Sequence, residues 1–171
     1  MKQETKQQIA ETLRDFRLPR YNEIPNVGLY LEQATKYVGE YLAPLGEYTL
    51  TPSMISNYVK KGLIANPVKK QYGREQIAYL FFIAVAKSVL SLDALTGFIK
   101  LQQQTYTLPK AYDYFAGELE NLLAFTFEMK DTMETVGEDN TDEKRLLYTC
   151  IVAAVQKVYL EKCLEAITKE N

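Results

Sequence analysis

Five cations stand close together in residues 51–74 with no acid among them: Lys60, Lys61, Lys69, Lys70 and Arg74. Just ahead, Ser53, Ser56, Asn57 and Lys60 recur at intervals of three and four, so a helix would carry them on one side. These side chains suit the recognition of a polyanion. Asn offers a donor and an acceptor that match an adenine edge, Ser bonds several bases, and Lys serves guanine or phosphate. Lys61, Lys69, Lys70 and Arg74 on the flanking turns would hold backbone phosphates, giving an affinity that falls with salt. The first turn of the same helix offers free N–H groups to a phosphate. The plainer alternative is a solvated helix face beside a common surface pair of lysines.

Other chemistry finds little support. The chain has no histidine, which removes Ser-His-Asp and Cys-His pairs and histidine metal sites. There is no glycine-rich phosphate loop and no carboxylate pair whose spacing marks a catalytic couple. The acidic stretch 137–143 lacks the central Gly and the correctly spaced terminal Glu of a calcium loop and is better read as an acidic helix start. Cys150 and Cys163 fall on one predicted helix, roughly 20 Å apart, too far for a disulfide with each other. They fit buried, reduced thiols in a cytoplasmic protein. The longest apolar run, 77–86, is too short for a membrane span, and the charged N-terminus has no apolar signal region. The expectation is a non-enzymatic, cytoplasmic protein with no cofactor, no metal and no membrane partner.

The cations sit on an anionic protein. The 171 residues carry a net charge of −2. Residues 51–76 contribute five bases and one acid, 5 − 1 = +4, and residues 77–171 nine bases and fourteen acids, 9 − 14 = −5. That asymmetry suggests a polyanion-facing head on an acidic body.

The elements that would position the head are legible in outline. Residues 1–27 predict a short helix and an extended arm. Over 28–43, Leu31, Ala34, Val38 and Leu42 share a helical face, which Pro44 and Gly46 end. Thr51 is a fitting N-cap and Pro52 a fitting first helical residue; Gly62 closes that helix, and Leu63 and Ile64 turn into the core. Residues 65–73 form a turn or wing. A helix apolar on nearly all sides follows, from Arg74 to about Leu90, with Gln76 in the capping-box position. Ser91 caps a helix over 92–104. Two longer helices, about 110–133 and 141–169, form a helical hairpin, with Asn140 and Glu143 as a capping box. Tyr58 and Tyr72 fit the edge of a core. The aromatic residues Tyr106, Tyr112, Tyr114, Phe115, Phe125 and Phe127 line either a ligand pocket or, more simply, a helical core or dimer interface. The prediction is an all-α fold with an arm (1–27), a DNA-binding-like unit (28–104) and a C-terminal dimerisation or effector region (105–171).

Some of these residues resemble a known pattern. Tyr58-Val59-Lys60-Lys61-Gly62-Leu63, then Lys70-Gln71-Tyr72, then Glu75-Gln76-Ile77 and Ser91-Leu92-Asp93 are similar to the recognition helix, wing and following helices of MerR regulators. The similarity covers about residues 30–102. The whole chain also resembles a "domain of unknown function" family of low-GC Gram-positive bacteria with a MerR-like front half. The chain departs from the MerR pattern where Ser56 replaces a usual Arg and Val59 a usual acid, and in its two C-terminal helices. The resemblance implies a sequence-specific regulator of double-stranded DNA and names no small-molecule effector; the apolar 3-4 spacing on both C-terminal helices, more than one hairpin can bury on itself, predicts a homodimer formed through them. The alternative is a protein-interaction module that keeps a winged-helix shape without binding DNA.

Overall fold

A computed structural model describes residues 2–170. Seven α-helices and two short strands form among these residues, in the order α1 (Gln3–Leu13), β1 (Leu29–Tyr30), α2 (Leu31–Leu42), α3 (Pro52–Lys60), β2 (Gln71–Tyr72), α4 (Arg74–Ala86), α5 (Leu92–Thr105), α6 (Leu108–Thr126) and α7 (Asp142–Glu170). The mostly helical architecture matches the sequence expectation. The strands pair antiparallel, Leu29 with Tyr72 and Tyr30 with Gln71, where only helix was expected over 28–43. Each is two residues long, too short to leave a period-two signal.

Helix α4 lies at the centre. Ile77, Leu80, Phe81, Ile83 and Ala84 are fully buried, because the helix is apolar around its circumference and every face must find a neighbour. It ends at Ala86 rather than near Leu90, and Lys87 donates its Nζ to Thr49 O at 3.1 Å. The N-terminal segment is part of the same core: Leu13, Leu18 and Ile24 are buried with residues from every later helix. Arg20 fixes it through a bidentate pair with Glu120 at 2.8 and 2.7 Å, and Glu120 also accepts the Leu18 N–H at 2.9 Å.

The C-terminal helices do not form the expected hairpin. Helix α6 stops at Thr126 instead of running to 133. Glu128 takes a left-handed backbone (φ 57°), and Met129 N–H bonds to Ala124 O at 2.8 Å while Glu128 N–H bonds to Phe125 O at 3.1 Å. That is a Schellman end with a glutamate in the place usual for glycine. Residues 127–141 are thereby freed to run back along α6, where Asn121 Nδ2 donates to Glu134 O at 2.9 Å and Tyr106 bonds Asp139. Helix α7 then starts beside the beginning of α6. Lys144 lies over the Tyr114 ring at 5.1 Å, and Phe127 meets Tyr159 with centroids 5.3 Å apart, so α6 and α7 run parallel. The α7 cap is Thr141, whose Oγ1 accepts the Lys144 N–H at 3.2 Å, and not Asn140. Cys150 and Cys163 both lie on α7, unpaired and buried, and burial pushes the Cys150 thiol up to about 11.

Candidate nucleic-acid interface

Helix α3 starts where the sequence places it. Thr51 Oγ1 accepts the Met54 N–H at 3.1 Å and Pro52 fills the first helical position, where no amide donor is needed. Ile55 and Tyr58 are buried against the core. On the opposite side, Ser53, Ser56, Asn57 and Lys60 share one face at intervals of three, one and three residues. Ser53, Ser56 and Lys60 are exposed and Asn57 is half-buried. The helix closes through Gly62 (φ 75°), with Leu63 N–H on Tyr58 O at 2.9 Å and Gly62 N–H on Val59 O at 3.0 Å. This left-handed end directs Leu63 and Ile64 inward, where both are buried.

The chain then forms a hairpin whose base is tied at two points. Gln76, itself buried on α4, accepts the Gly73 N–H with Oε1 at 2.6 Å and donates Nε2 to Ala65 O at 2.9 Å. One side chain thus joins the two ends of residues 65–73. Tyr72 is buried beneath, and burial raises the pKa of the Tyr58 and Tyr72 phenols. Gly28 passes so close to the hairpin that an added Cβ would lie 2.6 Å from Gln71 Cβ.

The tip is a two-residue turn. Val68 and Gln71 exchange backbone hydrogen bonds at 3.0 and 2.9 Å, and Lys69 (φ 50°) and Lys70 (φ 64°) occupy the central positions. Positive φ at both is the mark of a type I′ turn, for which Asn-Gly is the favoured pair. A residue with a Cβ pays roughly 1–2 kcal/mol for that backbone. Both lysines are exposed, as are Lys60 and Lys61. Among the described residues, none of these four enters an ion pair.

Arg74 is placed differently. Its Nε donates to Ile24 O at 2.8 Å, its Nη2 to Asn22 O at 3.3 Å, and its guanidinium lies 5.8 Å from the Tyr21 ring centre. It fastens the N-terminal segment to the first turn of α4. Val27, Tyr30 and Val68 also surround the hairpin and are 72%, 53% and 74% exposed. Their apolar character was legible, but their exposure follows from β1–β2 pairing, which has no period to reveal it. Among the described residues, no group of three or more His, Cys, Asp or Glu side chains is placed to hold a metal ion, and no helix is long and apolar enough to cross a membrane.

No curated protein and no solved structure matches this chain. A family model does match, over residues 19–115. That segment takes in the end of the arm (19–27), the exposed face of α3, the lysine-tipped hairpin, α4, α5 and the start of α6; it leaves out α1 and α7. Because it spans more than half of the sequence, the chain belongs to the family described as Domain of unknown function (DUF1836).

Proposed function

We propose that this protein is a non-enzymatic transcriptional regulator that binds double-stranded DNA in a sequence-specific way, with α2 and α3 as a helix-turn-helix and residues 65–73 as the wing. The observation that carries this reading is the turn at Lys69 and Lys70. Two lysines are held at positive φ, against their backbone preference, at an exposed tip where, among the described residues, they have no acidic partner. Strain kept at such a place favours a role for the side chains it presents. Lys60, Lys61, Lys69 and Lys70 would neutralise phosphates, and Ser53, Ser56 and Asn57 would face base edges. Arg74 would act indirectly, by anchoring the arm against the base of the wing. A second copy would supply the second half-site, with Leu160, Leu164 and Ile167 of α7 as the shared surface. These three are 57%, 54% and 39% exposed and recur at helical spacing on one side.

A second reading, a protein-interaction module of the same shape, is favoured by the exposed apolar side chains of Val27, Tyr30 and Val68 around the hairpin. One experiment separates the two. Fluorescence anisotropy with fragmented genomic duplex is followed from low to physiological salt for the native chain and for the variant with Lys60, Lys61, Lys69 and Lys70 all changed to Ala. The regulator reading expects binding whose logarithm falls linearly with log salt, and loss of most of that slope in the variant. Undetectable binding at low salt, or an unchanged slope, leaves the interaction module.

A further inference from the structure

Pairing in the small sheet turns one row of side chains outward. Tyr30 stands opposite Gln71, and Gln71 opposite Val68. Opposed residues of antiparallel strands point to the same side of a sheet. Val68, Gln71 and Tyr30 therefore lie next to one another, spanning about 10 Å at the usual strand spacing. Leu29 and Tyr72 point the other way, and Tyr72 is buried. The hairpin can thus present only one face, and Tyr30 and Val68 are the exposed apolar ends of its row. Val27, just ahead of β1, is exposed as well.

This row is continuous with the cationic tip, because Lys69 and Lys70 form the turn between Val68 and Gln71. No acid occurs from Val27 to Leu31 or from Lys60 to Arg74. Glu32 follows in the first turn of α2, where a carboxylate complements the positive end of the helix. Tyr30 is held at that same end: Gln33 Oε1 accepts its N–H at 2.9 Å, and α2 begins at the next residue. In a helix-turn-helix the helix ahead of the recognition helix crosses the DNA backbone. That backbone alternates anionic phosphates with the apolar C–H faces of deoxyribose. Lysines beside a valine and a tyrosine ring match the alternation, whereas a protein partner would have to set acids of its own next to apolar side chains.

Resting on the DNA reading above, we propose that the outward row of Tyr30 and Val68 is a contact surface for deoxyribose, with Lys69 and Lys70 on the adjoining phosphates. The tyrosine ring packs on a sugar and reads no base. Its contribution is the burial of apolar surface. It releases no counterions, so it adds affinity without steepening the salt dependence. A sugar contact also carries no sequence information, so specific and random duplexes gain alike.

The test compares the native full chain with Tyr30→Ala, Tyr30→Phe and Val68→Thr in the anisotropy salt series on fragmented genomic duplex. Tyr30→Ala should bind about tenfold more weakly at every salt concentration, a loss of about 1.4 kcal/mol, with the slope of log K against log salt unchanged. Tyr30→Phe should bind like the native chain, since the ring and not the hydroxyl makes the contact. Val68→Thr, which replaces a methyl by a hydroxyl, should bind about threefold more weakly. On the native chain bound to a short duplex, NMR should show cross-peaks from the Tyr30 ring and the Val68 methyls to deoxyribose protons; this reading stands even if a variant folds poorly. Native binding that Tyr30→Ala leaves unchanged overturns the proposal and assigns the face to a protein partner. A lower salt slope in Tyr30→Ala, or cross-peaks to base protons alone, overturns it too. Failure of the native chain to bind duplex at all is a different result, which removes the DNA reading itself and this contact with it.

Discussion

Replacing Lys69-Lys70 by Asn-Gly should make the protein more stable and a poorer DNA binder. Both lysines sit at positive φ, 50° and 64°, in a turn that two reciprocal hydrogen bonds hold in place. Left-handed backbone costs a residue with a Cβ roughly 1–2 kcal/mol. Asn relieves part of that and Gly all of it, offset by about 0.5–1 kcal/mol for the greater freedom Gly has when unfolded. The net gain is about 1–2 kcal/mol, and a domain of this size shifts by about 2–4 °C per kcal/mol, so Tm should rise by roughly 4 °C. Binding should move the other way. Two fewer phosphate contacts lower the slope of log K against log salt by about 1.8, which at about 0.1 M salt is roughly 60-fold weaker binding. Thermal unfolding followed by circular dichroism and a salt series in the anisotropy assay read the two quantities separately. A variant that melts earlier than the native chain would refute the strain argument, and one with an unchanged salt slope would refute the role given to the tip.

Other consequences concern the body of the protein. Glu120→Ala removes both arms of the Arg20 pair and leaves the Leu18 N–H without its acceptor; it should cost about 2–3 kcal/mol, seen as a Tm lower by about 4–12 °C. The Tyr106 hydrogen bond, with the Lys144 and Lys110 ammonium groups, holds the Asp139 carboxyl down to about 2. Because that pKa is below the ordinary aspartate value of 3.8, its contribution is complete above pH 3.8 and lost as pH falls towards about 2. NMR should therefore show the Tyr106 ring and the Thr141 cap releasing across that window, before α4 unfolds, and no change between pH 5 and 8. Sedimentation should give a homodimer at micromolar concentration, and Leu160→Lys with Leu164→Lys a monomer of unchanged helicity; a native monomer would contradict the assembly.

Legibility in the sequence follows how local each feature is. The start of α3 at Thr51-Pro52, its left-handed end at Gly62 and the Gln76 cap on Gly73 are short-range effects of residue type, and all three were readable. The central burial of α4 was readable because an apolar circumference has only one consequence. The turn or wing over residues 65–73 was readable in outline, but its two-residue tip at Lys69-Lys70 was not, since these residues lack the Asn-Gly signal and the hairpin is imposed by Gln76 and by pairing with β1. Glu128 hid the end of α6 in the same way: the apolar spacing continues through Met129 and Met133, but a glutamate takes the left-handed position. That single displaced end turned an expected hairpin into a parallel pair. On the candidate interface, spacing correctly put Ser53, Ser56, Asn57 and Lys60 on one face. It could not separate Arg74, whose backbone partners at Asn22 and Ile24 are about fifty residues away.

The most direct test of the central claim is an NMR titration of the isotope-labelled full chain with a short mixed-sequence DNA duplex at low salt. Amide shifts should be confined largely to Thr51–Lys61 and Val68–Tyr72, with the turn amides of Lys69 and Lys70 among the most affected, and should fade as salt is raised. Shifts absent from both segments, or concentrated on α7, would contradict the assignment of this face to DNA.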